Sequence, residues 1–301
     1  MKWYFGWYLT NWCLEFFGGE FGVGGQCGAA TALGTGLDLT PYGKWGKIAA
    51  SKVKQGCVLP DMGVGPAPAY EPMPPFVPGF NNLEQQERVY AALVKALERA
   101  AAAGIKHVIV FTGMDTGEER GVQFQRIVDC FTKPRGSAQK SLIEMAEELG
   151  IVFLIEMLNI LGNPETWEGH KGYLGSSTKE LVEKVVRPIG SKCFLLAFDI
   201  YHIVMMGEDL FALIDEYHNL IGYVHVAQVV LKAGGGYETT NRGELTLAGE
   251  IDIAAVGEKL ARHLPIGTPV LIEYIPHSNN PAQVQADLLA SMQLFESKIA
   301  A

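Results

Sequence analysis

Four apolar stretches in the second half of the chain each carry one side chain able to bind a metal ion. They are Glu156 in IVFLIEMLN, Asp199 in FLLAFDIYH, His225 in IGYVHVAQV and Glu273 in TPVLIEYIP. An uninterrupted apolar run reads as a strand buried on both faces, as in parallel sheets. A charged side chain in such a run is costly unless it is paired or coordinates a metal. Any one of the four, taken alone, reads equally well as a paired core or rim group. Four at matching places in consecutive strands point to a shared site. Three carboxylates and one imidazole form a hard, mostly oxygen donor set, suited to Mn²⁺, Mg²⁺ or Co²⁺ rather than to a thiolate zinc centre. The chemistry that fits is proton removal next to a carbonyl. A divalent ion stabilises the enediolate charge, one carboxylate takes the proton, and a second returns it or serves the hydroxyl. Glu156 and Glu273, on strands separated by two others, are placed to flank a substrate in this way. Their types do not say which is base and which is acid.

These residues have to be positioned by something, and the rest of the chain reads as alternating strands and helices. Strands are expected at Trp3–Cys13, Gly36–Pro41, Gly56–Gly63, His107–Met114, Ile151–Asn159, Phe194–His202, Ile221–Val229 and Thr268–Pro276. Helices are expected at Lys44–Lys54, from Asn81 or Asn82 to Ala103, and at Gly136–Leu149. Others follow Ser177 or Thr178, span Leu210–His218 and Asp252–Leu264, and begin after Asn280 with Pro281 in the first turn. Eight parallel strands with helical crossovers most economically close into a single (β/α)8 TIM barrel, one domain over residues 1–301. A doubly wound open sheet is the alternative, weakened because no GxGxxG follows any strand. In a barrel the chemistry gathers at the C-terminal ends of the strands, where Glu156, Asp199, His225 and Glu273 would converge. The proline-rich stretch from Val64 to Phe80 reads as a long loop within the domain, of the kind that forms a lid or an interface arm.

The segments IEMLN, HKGY (His170–Tyr173), DIYH (Asp199–His202), the strand containing His225 with Val226 and Ala227 after it, GEL (Gly243–Leu245) and IEYIP together resemble the hydroxypyruvate isomerase group. That group belongs to the xylose-isomerase-like barrels, which also include ketose 3-epimerases. The resemblance spans roughly residues 80 to 276. TNWC around Asn11 and LDLTP around Asp38 also fit the family's early strands. It implies that Glu156 and Glu273 are paired catalytic glutamates that also bind the metal, with Asp199 and His225 as further ligands. The fourth ligand is glutamine in some isomerases and histidine in epimerases and some isomerase-like proteins. It further implies that His202 contacts a substrate oxygen, that Glu244 lies near the pocket and that His170 lines it. The chain departs from the family pattern after His225. Family members carry an arginine there, in a segment like GRHE. Here the stretch VVLKAGGGYETTNRGEL is longer, and Lys232 or Arg242 is the candidate replacement. Lysine is no bidentate clamp for a carboxylate, so the substrate is less fixed than the reaction class.

Composition sets the outer limits. The 301 residues include 48% hydrophobic side chains, enough for a large core, and the net charge is −9. Phosphate-backbone binding needs clustered Lys and Arg, so nucleic acid is not an expected partner, and a zinc-cluster endonuclease is disfavoured because no histidine precedes His107. Five scattered cysteines without a CxxC pair indicate reduced thiols and a cytoplasmic setting. The aromatic N-terminus is broken by Asn11 and Glu15, and no membrane association is expected. The expected partner is a small carbonyl compound or sugar. The proline-rich arm and aromatic N-terminus are compatible with a homodimer or homotetramer. The functional expectation is a hydroxypyruvate/tartronate semialdehyde type isomerase, with a ketose 3-epimerase or a non-catalytic sugar- or metal-binding barrel as alternatives. His107, at the start of its strand, is expected to be structural.

Overall fold

The structure, a computed structural model, describes residues 36–39, 54–58, 79–136, 138–159, 172–229 and 249–273, together with helical residues 286, 289–291 and 293–294. Within these residues lie seven strands: β1 Gly36–Leu39, β2 Lys54–Val58, β3 His107–Val110, β4 Val152–Glu156, β5 Phe194–Asp199, β6 Ile221–Val226 and β7 Val270–Ile272. Every neighbouring pair is parallel, and the order across the sheet is the order along the chain. That arrangement is the repeated strand–crossover–strand unit expected of a barrel wall. The first expected strand, Trp3–Cys13, lies outside the described residues, as does most of the predicted helix Lys44–Lys54. Its last residue, Lys54, opens β2 instead.

The strands alternate their side chains between two cores, as pleated strands must. Phe153 and Ile155 of β4, Phe194, Leu196 and Phe198 of β5, Val224 and Val226 of β6, and Val270 and Ile272 of β7 face the helices. The intervening Leu154, Ala197, Tyr223 and Leu271 join Ile109 and Phe111 in a second cluster inside the curl of the sheet. This inner cluster is the floor on which a site can be built.

Helix ends follow the local chemistry. The helix Leu83–Ala103 starts at Asn82, whose side chain accepts from the Glu84 N–H, and stops at Gly104, whose φ of 72° suits a residue without a Cβ. The helix Leu142–Leu149 starts six residues later than expected from Gly136. Ser141 and Glu144 form a reciprocal capping box there. The helix Arg120–Thr132 was not expected from the sequence. Its Phe131 packs between Phe80, Phe153 and Phe194, with ring centroids at 4.8, 5.1 and 4.7 Å, so it covers the outer face of β4 and β5. After Ser177 the chain runs through Thr178–Leu181, a π-helical turn Val182–Val186 and Arg187–Ile189. The helices Leu210–Tyr217 and Ile253–His263 fall within a residue of their expected limits. Among the described residues, no helix is long and apolar enough to cross a membrane.

Candidate functional site

Each of the four expected ligands stands one layer above the inner apolar cluster. Glu156 follows Leu154 by two residues, Asp199 follows Ala197, His225 follows Tyr223 and Glu273 follows Leu271. Because the side-chain period of a strand is two, all four point inward at the C-terminal ends of their strands. Register aligns them: Glu156 pairs with Ala197, Asp199 with His225, and His225 with Leu271. The Glu273 N–H donates to the Val226 carbonyl at 2.9 Å, which carries the ladder one residue past β7. All four are at most 5% exposed.

The expected strand Phe194–His202 ends early, at Asp199, and the reason is Asp199 itself. Its Oδ1 accepts from the main-chain N–H groups of Tyr201 (2.8 Å) and His202 (3.1 Å). Asp199 is therefore the N-cap of a short helix, Ile200–Met205. The cap fixes the carboxylate, and it moves His202 from a strand position to the first helical turn. There its Nε2 lies 3.7 Å from Asp199 Oδ2. His225 Nδ1 is 3.0 Å from Glu156 Oε1 and 3.9 Å from Asp199 Oδ2.

Two groups of ligand-capable atoms result, Glu156–Asp199–His202 and Asp199–His225–Glu273, each with its atoms within 4.8 Å of one another. Placing Asp199 this close to both Glu156 and Glu273 in a buried layer is unfavourable while all are charged. A divalent cation relieves that repulsion, and a donor set of carboxylate oxygens and imidazole nitrogen is what such an ion requires. The residues thus fit a resident metal ion, with Glu156, Asp199, His225 and Glu273 as the side chains that would hold it.

A neutral wall faces this acidic arc. Phe111, Leu158 and Tyr173 belong to the inner cluster, and Met114 bridges Tyr173 in an antiparallel pairing. Burial raises the Tyr173 hydroxyl above the ordinary phenol range, and the negative charge of Glu156 adds to that, so the side chain is uncharged. The backbone closes tightly here. Gly79 and Gly113 touch so closely that a Cβ on either would lie 2.2 Å from the other's Cα. Buried Asn81 and Gln123 tie the loop after β3 together. Asn81 donates to the Met114 carbonyl at 2.6 Å and to Gln123 Oε1 at 2.9 Å.

Of the other expected site residues, His170, Lys232, Arg242 and Glu244 lie outside the described residues. His107 stands at the N-terminal end of β3, away from the carboxylates, with its ring 5.4 Å from that of Tyr223. One residue at the site was not singled out from sequence. Asn159, just past β4, is buried and bonds the His202 ring through both its main-chain N–H (3.2 Å) and its side-chain amide (2.7 Å). Its signal lay in the IEMLN segment, as the last polar residue of the apolar run.

This arrangement, a parallel curled sheet with acidic side chains at the strand C-termini, is that of the xylose isomerase-like TIM barrels, and the chain belongs to that family. The family model matches residues 57–294. Several solved structures share the fold. D-psicose 3-epimerase, solved in the presence of D-fructose, matches with a TM-score of 0.68 at 13% identity, over 100% of both chains. The IolI protein, solved with a bound zinc atom, gives 0.67 at 14% identity, over 100% of this chain and 98% of that one. The 3-keto-D-glucoside 4-epimerase of E. coli gives 0.66 at 16% identity, over 98% and 99%. A comparison with curated proteins returned no match.

Proposed function

We propose that the protein is a metal-dependent isomerase. It would interconvert a small hydroxy-aldehyde and hydroxy-ketone of the hydroxypyruvate/tartronate semialdehyde type by proton transfer between Glu156 and Glu273. The observation that carries this reading is the placement of these two glutamates at opposite ends of one inward layer, with Asp199 and His225 between them. A divalent cation bound there supplies the positive charge against which negative charge on the substrate oxygens develops. The chain's own residues do the rest. One glutamate takes the proton next to the carbonyl, and the other returns it to the neighbouring carbon or serves the hydroxyl. Phe111, Leu158 and Tyr173 keep the facing side apolar and limit the access of water. His202 is assigned to a substrate oxygen. His170, Lys232, Arg242 and Glu244 are assigned to the pocket by the family resemblance, with Lys232 or Arg242 in place of the family arginine.

A second reading is a ketose 3-epimerase, since the resemblance puts a histidine such as His225 at the fourth-ligand position in epimerases as well as in some isomerase-like proteins. The full-length likeness in fold to D-psicose 3-epimerase is compatible with it. Both readings share the same proton transfer and differ in substrate. The test is solvent deuterium incorporation, followed by NMR with Mg²⁺ present, into hydroxypyruvate, tartronate semialdehyde and a panel of free ketoses. The isomerase reading expects metal-dependent exchange in the first two. Exchange confined to the ketoses would replace it with the epimerase. No exchange in any of them would remove both.

A further inference from the structure

His202 is placed where it could serve either the cation or the substrate, since it belongs to one of the two ligand-capable groups. The hydrogen bonds on its far side decide between these roles. Nδ1 receives the main-chain N–H of Asn159 at 3.2 Å. A backbone N–H can only donate, so Nδ1 must offer its lone pair. The Asn159 side-chain group 2.7 Å from the same nitrogen is then the amide NH₂ rather than the carbonyl oxygen. With Nδ1 accepting from two donors, the neutral ring carries its proton on Nε2. That N–H faces Asp199 Oδ2 at 3.7 Å, on the side of Glu156. Coordination of a metal through Nε2 would need that nitrogen's lone pair and would push the proton onto Nδ1, against two N–H groups.

We propose that Asn159 is a positioning residue that locks His202 in its Nε2–H tautomer. His202 is thereby a hydrogen-bond donor toward a substrate oxygen and not a ligand of the cation. The part concerning the substrate rests on the function proposed above; the tautomer and the exclusion from coordination do not. The lock links two neighbouring strands. Asn159 lies three residues beyond Glu156 on the way out of β4, and His202 lies three residues beyond Asp199, in the helix that Asp199 caps. Each carboxylate is followed at the same spacing by one half of the pair.

The test reads the ring nitrogens directly. Long-range ¹H–¹⁵N correlation spectra of the full-length protein, labelled at histidine, distinguish a protonated from an unprotonated ring nitrogen. The His202 signals are identified by their loss in His202→Gln. The expected result at neutral pH is a protonated Nε2 and an unprotonated Nδ1. On saturation with Zn²⁺, used as a diamagnetic probe, that pattern should persist while the His225 signals shift. A proton on His202 Nδ1, or loss of the Nε2 proton when Zn²⁺ binds, would overturn the proposal. Asn159→Asp sets a carboxylate in place of the amide and should move population to the Nδ1–H form. Asn159→Ala, which keeps the main-chain donor, should retain Nε2–H. Identical spectra for Asn159→Asp and the parent would also overturn it. In whichever substrate shows exchange, Asn159→Asp should lower kcat about tenfold, on the order of one hydrogen bond's alignment, with Zn²⁺ affinity unchanged. If no substrate shows exchange, the proposed function fails while the spectra still decide the tautomer.

Discussion

The inner faces of β3 and of β4 to β7 match up to one layer and then diverge. Ile109, Leu154, Ala197, Tyr223 and Leu271 form a shared apolar floor. One step further, β4 to β7 present Glu156, Asp199, His225 and Glu273. On the β3 side the register that pairs Val110 with Ile155 brings Phe111 level with Glu156. The same backbone geometry thus supports an acidic arc and a neutral wall. The acidic arc concentrates negative charge where a cation would be held. The neutral wall, with Leu158 and Tyr173, lowers the local dielectric and so strengthens every interaction within the arc. On this account, activity belongs to the arc and stability to the wall and floor.

That division is open to attack from both sides. The largest effect is expected from Glu156→Gln and Glu273→Gln. Each should lower metal-dependent deuterium exchange by about 10²–10⁴-fold, the usual share of a positioned acid or base. A loss below tenfold in either variant would remove that glutamate from proton transfer. The same substitutions should cost little stability in metal-free protein, and Glu156→Gln is expected to unfold at equal or higher denaturant concentration than the parent, because it removes one of several crowded buried charges. Phe111→Ala is the converse. It leaves every carboxylate in place and should cost about 3–5 kcal/mol of unfolding free energy, measured by denaturant titration.

A finer division lies within Asp199, whose Oδ1 caps the following helix and whose Oδ2 would be offered to a cation. Asp199→Asn and Asp199→Ala should both weaken cation binding. Only Asp199→Ala should also lose the helix cap, making it less stable than Asp199→Asn by about 1 kcal/mol. Equal stability of the two variants would mean that the cap contributes nothing. The smallest effect concerns the outer core. Burial pushes the Cys130 thiol up to about 12, above its usual range, so it stays protonated and unreactive near neutrality. Peptide mapping after brief alkylation of native protein at mildly alkaline pH should find Cys130 unmodified, and modified once the protein is unfolded. Rapid native labelling would show that the helix Arg120–Thr132 does not hold its place over the sheet.

Much of this was legible in the sequence because period and polarity agree there. Strands buried on both faces make apolar runs, so β4 to β7 stood out, and the polar residue in each run marked the inward layer. Other features were hidden for physical reasons. The end of β5 could not be read because Asp199 looks like one more strand residue until its carboxylate is seen capping the next helix. The helix Arg120–Thr132 does carry apolar residues at helical spacing, Phe124, Ile127 and Phe131. Its N-cap is a glutamate, not one of the preferred capping residues, and Gly121 follows at once, so the usual start signal is weak. Asn159 escaped notice because its role depends on a partner 43 residues away, a separation that no local pattern encodes.

The most direct test of the central claim is equilibrium titration of metal-free protein with Mn²⁺ by calorimetry. It would cover the parent chain, Glu156→Gln, Asp199→Asn, His225→Ala, Glu273→Gln and His202→Gln. One saturable site, weakened at least about tenfold by each of the first four substitutions and essentially unchanged by His202→Gln, is the result this account predicts. Absence of a saturable site, or a site indifferent to Glu156, Asp199, His225 and Glu273, would contradict it.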